Sequence, residues 1–144
     1  MLYIDASSLL KTFWIEPESA AVMDALAQET SVVVSVIVQL ETLVQLKAAY
    51  LAGEYTRSRW HRLEAQLAAL RNQPPYDFRN VSGGVFQTAL RQHRNSRDVH
   101  CRSLDRVHLA AMEELHLNRL MTHDEAQANA AQEAGFTVIQ PGRD

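Results

Sequence analysis

A short apolar strand runs directly into a helix in the segment Leu2-Tyr3-Ile4-Asp5-Ala6-Ser7-Ser8-Leu9-Leu10-Lys11, which decides the fold class. Residues 2–4 are predicted to form the strand, and residues 6–14 carry apolar side chains at helical spacing until Pro17 ends the element. The β-branched residues 32–34 are typical of a strand buried on both faces, as in a parallel sheet. The beginning of the chain therefore predicts strands and helices alternating around a parallel sheet.

The remainder of the chain continues this alternation. Hydrophobic periodicity predicts helices over residues 18–27, 36–51, 55–70, 85–93, 103–116 and 124–134, and short strands over residues 119–122 and 136–139. Residues 72–84 contain two prolines and two glycines and are predicted to be a loop, enclosing a short piece around residues 78–81. This order predicts an α/β sandwich with a mainly parallel central sheet, in one domain spanning residues 1–144.

Composition favours a protein of the reducing cytoplasm. The longest apolar stretch, residues 32–38, is far shorter than the roughly 20 residues that span a bilayer, and the first residues show no basic region or cleavage site. The single cysteine, Cys101, cannot form an internal disulfide, and no Cys-x-x-Cys pair is present to bind zinc. We therefore expect cytoplasmic localisation and no membrane contact.

The net charge of -3 hides an uneven distribution along the chain. Residues 1–54 carry a charge of -5, residues 57–106 carry +6 through ten arginines, and residues 107–144 carry -4. A basic middle between acidic ends suits a nucleic-acid cleaving enzyme, in which arginines bind phosphates and carboxylates bind metal. Arginines spaced along helices are equally typical of a solvated helical face.

Four acids are predicted to meet at one edge of the sheet. Ligands of parallel sheets bind beyond the carboxyl ends of the strands. Asp5 and Asp124 directly follow predicted strands, Asp105 begins a predicted helix, and Glu41 lies about one and a half turns into the helix that follows residues 32–34. All four side chains are therefore expected to reach the same rim.

A cluster of four carboxylates indicates a divalent cation, which would offset their mutual repulsion. Oxygen ligands select Mg²⁺ or Mn²⁺, whereas the histidine spacings match no common zinc pattern. Such ions activate water for in-line attack on a phosphodiester, so phosphodiester hydrolysis is the expected reaction.

Each acid also has a structural interpretation. Asp105 and Asp124 occupy positions where a carboxylate favours the start of a helix. Asp5 is the acid least easily explained as a helix cap, because no Glu or Gln follows three residues later. The functional interpretation depends on the set of four.

Four ordered motifs resemble PIN-domain proteins of the VapC toxin type. The resemblance spans almost the whole chain and rests on Tyr3-Ile4-Asp5-Ala6-Ser7-Ser8-Leu9-Leu10-Lys11 with Glu16-Pro17-Glu18-Ser19, then Ser35-Val36-Ile37-Val38-Gln39-Leu40-Glu41, Arg102-Ser103-Leu104-Asp105-Arg106-Val107-His108-Leu109-Ala110 and Thr122-His123-Asp124. It implies a PIN-like fold and a metal-dependent endoribonuclease using Mg²⁺ or Mn²⁺. The family's four acids, catalytic and metal-binding, fall on Asp5, Glu41, Asp105 and Asp124.

The resemblance also implies supporting residues and partners. Ser7 and Thr122 match positions whose hydroxyls orient the acids or a bound water. Separately from the resemblance, Arg102 and Arg106 are candidate RNA contacts because they belong to a basic run beside Asp105, and His123 is another because it is next to Asp124. Toxins of this kind dimerise, are inhibited by a small antitoxin protein, and meet operon DNA only through that antitoxin.

Two departures from the family pattern concern the site. Arg106 stands where many members have a small residue, and Ala126 stands where some have a fifth acid. The first departure puts substrate contacts in question. The second leaves open whether one or two metals bind.

Two other functions compete with a toxin ribonuclease. A catalytically idle PIN-like module that binds RNA or protein is disfavoured by the presence of all four acids. An aspartate-based phosphatase requires a second acid two residues after the first, where Ser7 stands instead. Neither the cleaved RNA nor the identity of the antitoxin follows from the sequence.

Overall fold

The structure, a computed structural model, describes residues 1–143 and contains one five-stranded sheet. All four strand pairs are parallel, and the order across the sheet is β3-β2-β1-β4-β5. The predicted α/β fold with a parallel central sheet is confirmed. The strands are β1 (Leu2–Ile4), β2 (Val32–Ser35), β3 (Tyr76–Arg79), β4 (Arg119–Met121) and β5 (Thr137–Ile139).

Seven α-helices connect and cover these strands within the described residues. The first is a single turn that continues as a 3₁₀ turn at Leu10–Thr12, so the helix predicted over residues 6–14 is shorter than expected. The others lie close to their predicted bounds. The helices are α1 (Ala6–Leu9), α2 (Ser19–Ala27), α3 (Val36–Leu51), α4 (Arg57–Ala69), α5 (Val85–Asn95), α6 (Ser103–Glu114) and α7 (Glu125–Glu133).

The strand β3 is the main departure from the sequence prediction, which placed it mostly in a loop. Tyr76–Arg79 pairs in parallel with Val32–Ser35, and all four of its residues are only half-buried. A short edge strand next to Pro74 and Pro75 has no clear alternation of apolar and polar residues. The local sequence pattern therefore does not predict that this segment pairs with a distant strand.

The central strand β1 places the ends of three strands at one rim. Tyr3 lies beside Val33 of β2 on one side and Leu120 of β4 on the other, and all of β1 is buried. The backbone N–H of Asp5 donates to the carbonyl of Met121 (3.1 Å), which holds the end of β1 beside the end of β4. The parallel register therefore brings the segments after β1, β2 and β4 together.

The core lies between the sheet and the helices, with a smaller apolar cluster beside it. In the smaller cluster Leu10, Leu46 and Leu63 are buried, and Trp14 and Trp60 pack against them. The cluster joins the α3–α4 hairpin to the turn after α1. Among residues 1–143, no helix combines the length and apolarity needed to cross a membrane.

Helix α6 carries Asp105 and should depend on Met112, which is fully buried. We expect Met112→Ala to lower the free energy of unfolding by about 2–5 kcal/mol, because it leaves a cavity under this helix. Met23→Ala is the matched control, since Met23 is 50% exposed. Urea denaturation of both variants tests this, and equal effects of the two substitutions would contradict it.

Candidate active site

All four predicted acids line one cleft of about 720 Å³ at the carboxyl edge of the sheet. Asp5 follows β1, Glu41 lies on α3, Asp105 on α6, and Asp124 immediately precedes α7. The cleft is also bordered by apolar side chains and by several basic side chains. Besides the acids, its wall includes Trp14, Leu40, Val44 and Leu104, with Lys11, Arg102, His123 and Arg143.

Asp5 lies at the bottom of the site and is only 2% exposed. Its carboxylate accepts hydrogen bonds from the Ser7 hydroxyl (2.7 Å), the Ser8 backbone N–H (3.0 Å) and the Thr122 hydroxyl. Burial raises the pKa of the Asp5 carboxyl, and these donors oppose the rise. The bond from Ser8 makes Asp5 the N-cap of α1, so even the acid that was least easily explained as a cap has this structural role.

A single arginine connects two of the other acids. The Arg102 Nε donates to Asp105 Oδ2 (3.0 Å), and its Nη2 donates to Asp124 Oδ2 (2.9 Å) and more weakly to Asp105 Oδ1 (3.4 Å). Part of the repulsion that a divalent cation was expected to offset is therefore offset by Arg102, which pairs with two of the four acids. As predicted from the helix starts, Asp124 also caps α7 through the Gln127 N–H (2.9 Å), and Asp105 accepts the backbone N–H of Arg102 (3.1 Å).

Glu41 is held by a buried histidine, His108, which was not among the predicted site residues. His108 Nε2 lies 2.8 Å from Glu41 Oε2 and donates to it, since a carboxylate accepts. The other ring nitrogen lies 2.7 Å from the Tyr3 hydroxyl, which lies 2.7 Å from the Ser35 hydroxyl. Burial raises the pKa of Tyr3 far above its usual value, so its hydroxyl keeps its proton. A chain of hydrogen bonds therefore runs from β2 through β1 and α6 to Glu41.

Sequence reasoning missed this chain because its members look like core residues. Tyr3 lies within an apolar strand and His108 on the buried face of α6, and both are fully buried. One signal was available: His108 is three residues after Asp105, which places the two side chains on nearly the same helical face.

The hydroxyls of Ser7 and Thr122, the two predicted supporting residues, both contact Asp5. Besides donating to Asp5, the Thr122 hydroxyl accepts the backbone N–H of Asp124 (3.1 Å). The Ser7 hydroxyl accepts the backbone N–H of His123 (2.8 Å). These bonds tie the loop after β4 to the start of α1, so Asp5 and Asp124 keep a fixed relative position.

The three candidate RNA contacts differ in placement. Arg102 lies in the cleft with its side chain 70% exposed. His123 lines the cleft, but both ring nitrogens are engaged, one with the Ser8 hydroxyl and one with the Pro141 carbonyl (2.8 Å each). Arg106 is buried and lines a separate cavity of about 210 Å³ between α5, α6 and the end of α7, so the structure does not bring it into the cleft.

The carboxylates do not converge on one point in their present orientations. Within the described part of the chain, residues 1–143, no three His, Cys, Asp or Glu side chains are grouped closely enough to bind a metal ion together. The physical reason is the internal pairing: Asp105 and Asp124 face Arg102, and Glu41 faces His108.

The buried charge of Asp5 should make the metal-free protein less stable as the pH rises. The pKa of Asp5 is higher in the folded protein than in the unfolded chain. The folded protein therefore loses stability as the pH rises from the unfolded-state pKa to the folded-state pKa, and this loss remains at higher pH. We expect Asp5→Asn, in the presence of chelator, to be more stable than the wild type at neutral pH and to lose this advantage in acid. Thermal unfolding across pH measures this.

Asp24→Asn is the control for that measurement, since Asp24 is exposed on α2. A chelated Asp5→Asn protein that is less stable than the wild type at neutral pH would contradict the prediction.

Comparison with known proteins connects this cleft to a family. A family model described as the PIN domain matches residues 2–133. Ribonuclease VapC46 from Mycobacterium tuberculosis (strain ATCC 25618 / H37Rv) is 31% identical over 144 residues, and the match covers 97% of each chain. The family match therefore includes all four acids of the cleft.

Solved structures show the same fold at low sequence identity. The crystal structure of Mycobacterium tuberculosis VapC20, a Sarcin-Ricin loop cleaving toxin, matches with a TM-score of 0.74 and 17% identity, over 98% of this chain and 100% of that chain. FitAcB from Neisseria gonorrhoeae matches with a TM-score of 0.68 and 15% identity, over 98% of each chain. The structure of FitAB bound to an IR36 DNA fragment matches with a TM-score of 0.70 and 15% identity, over 99% of this chain and 96% of that chain. By family model and by full-length identity to a curated relative, this chain belongs to the PIN-domain family and, within it, to the VapC ribonucleases.

Proposed function

We propose that this protein is a metal-dependent endoribonuclease that hydrolyses RNA phosphodiester bonds and acts as the toxin of a toxin–antitoxin pair. The observation that carries the proposal is that Asp5, Glu41, Asp105 and Asp124 line one cleft at the carboxyl edge of a parallel sheet, in a VapC ribonuclease family member. Family membership supports the class of reaction, and the cleft indicates which residues would carry it out.

The donor set fits Mg²⁺ or Mn²⁺. The four side chains offer only carboxylate oxygens, which these hard cations prefer, and the buried Asp5 carboxylate would be relieved by a neighbouring positive charge. The group that faces Asp105 and Asp124 now is Arg102, whose exposed side chain can withdraw into solvent. The metal would supply an activated water and charge stabilisation at the phosphate.

The surrounding residues keep these four acids in position. Thr122 and Ser7 orient the Asp5 carboxylate, and Thr122 also holds the backbone of Asp124. His108 donates to one oxygen of Glu41, which fixes that side chain and leaves its other oxygen for a ligand. Preorganisation of this kind lowers the reorganisation required when substrate arrives.

The cleft wall is suited to a single-stranded RNA segment. Arg102 and Arg143 place positive charge at the cleft for phosphates, and Trp14, Leu40 and Leu104 provide apolar surface for bases. His123 forms part of the wall, where its packed ring would contact RNA by shape rather than through a free nitrogen.

An antitoxin protein is the second proposed partner. Helix α3 exposes apolar side chains beside the cleft, among them Leu40 at 61% and Val44 at 54% exposed. An apolar surface next to an acidic cleft favours a protein segment that carries both apolar and basic residues. We propose that such an antitoxin inhibits the enzyme and connects it to operon DNA, and that the toxin forms a cytoplasmic homodimer.

One observation favours the alternative of a catalytically idle binding module: Arg102 forms ion pairs with both Asp105 and Asp124, which occupies these two acids. In that case the site would bind RNA or protein without needing a metal. Metal dependence of RNA cleavage distinguishes the two functions.

We expect purified protein, freed of antitoxin, to cut total cellular RNA at discrete sites with Mg²⁺ or Mn²⁺ and to lose this activity in chelator. Asp5→Asn and Glu41→Gln should each reduce the cleavage rate at least about 100-fold, because each removes a carboxylate from the metal site. Primer extension on the cleaved RNA measures rate and position.

Asp24→Asn is the matched surface control and should cleave like the wild type, since Asp24 lies outside the cleft. Folded wild-type protein that leaves every RNA intact with both metals would support the idle module instead.

A further inference from the structure

We infer that Arg102 is a built-in competitor of the metal, holding Asp105 and Asp124 together until a cation displaces it, and that the displaced guanidinium then becomes available to an RNA phosphate. This inference rests on the proposed metal site. It adds a coupling between metal binding and RNA binding that the four acids alone do not provide.

The contacts of Arg102 resemble those of a bridging cation. Its guanidinium donates to Asp105 through Nε (3.0 Å) and to Asp124 through Nη2 (2.9 Å), so one positive group contacts two carboxylates that come from different helices. A guanidinium stays positively charged in proteins. Metal and guanidinium therefore offset the same repulsion and cannot both occupy the space between the two acids.

Because the Arg102 side chain is exposed, displacing it costs little free energy. The Asp105 side chain is only 4% exposed, whereas that of Arg102 is 70% exposed, so Asp105 is fixed and the arginine can rotate into solvent. An ion pair with one exposed partner contributes little to stability. The ion pairs of Arg102 therefore compete with a metal for the two acids, but they are weak enough for the metal to displace the arginine.

The displaced side chain remains attached at the N-cap of α6, beside Asp105. Its reach is then limited to the mouth of the cleft, where RNA phosphates would approach the acids. Because coupling between two ligands is reciprocal, RNA that binds the released guanidinium should also strengthen metal binding.

Arg143 provides a matched control within the same cleft. It lines the cleft and pairs with Glu125 at 3.4 Å, and it makes no ion pair with any of the four acids. Arg143→Gln removes the same unit of charge from the cleft without removing a competing contact. A general electrostatic effect would act on both variants, whereas competition would act only on Arg102→Gln.

The test measures Mn²⁺ binding by calorimetry and by electron paramagnetic resonance, with no RNA present. We expect Arg102→Gln to bind Mn²⁺ roughly fivefold more tightly than the wild type and Arg143→Gln to change affinity less than about twofold. Thermal unfolding gives a second readout: in chelator Arg102→Gln should unfold at a lower temperature than the wild type, because Asp105 and Asp124 then repel. Its stabilisation by saturating Mn²⁺ should be larger than that of the wild type.

The outcomes separate this inference from the proposed function. Mn²⁺ binding that is equal in the wild type and Arg102→Gln, or weaker in Arg102→Gln, overturns the competition while leaving a metal-dependent enzyme in place. An equal gain in Arg143→Gln overturns it as well, because the effect is then general electrostatics. Absence of Mn²⁺ binding in all three proteins overturns both the inference and the metal site.

Discussion

The structure depends on the burial of one carboxylate at the end of its central strand. Asp5 follows β1, which lies between β2 and β4, so its side chain cannot reach open solvent. A buried charge costs free energy unless hydrogen bonds or an opposite charge offset the loss of water. The hydroxyls of Ser7 and Thr122 and the backbone of Ser8 offset part of this cost, and the raised pKa of Asp5 shows that part of it remains. The protein therefore holds an acid in a position that a bound cation would stabilise.

The other three acids are stabilised in different ways, and the difference divides the cleft. Glu41 is held from below by the buried chain of His108, Tyr3 and Ser35, which belongs to the core and moves only with it. Asp105 and Asp124 are held from the solvent side by Arg102. One wall of the cleft is therefore fixed by packing, while the opposite wall is closed by a side chain that can rotate.

The same aspartates serve the fold and the proposed chemistry. Asp5 and Asp124 cap α1 and α7, and Asp105 accepts the first free backbone N–H of α6. A capping carboxylate uses one oxygen for the helix and keeps lone pairs for another ligand. The structural and functional interpretations of these acids, which compete when only the sequence is considered, are therefore compatible. Helix starts at the carboxyl ends of parallel strands supply both the position and the backbone donors that keep each carboxylate oriented.

The sequence by itself determined the parallel α/β fold and the bounds of most helices, because apolar periodicity and strand-to-helix junctions are local features. It also predicted four acids that the structure places along one cleft. It did not determine β3, which pairs with β2, a strand more than 40 residues away in the chain. Nor did it determine that Arg102 bridges two acids, that His108 holds Glu41, or that Arg106 lies in a different cavity from its neighbour Asp105. These facts depend on which side chains from distant segments meet, and adjacent residues on a helix point in directions about 100° apart. Only the tertiary structure decides which of those directions enters the cleft.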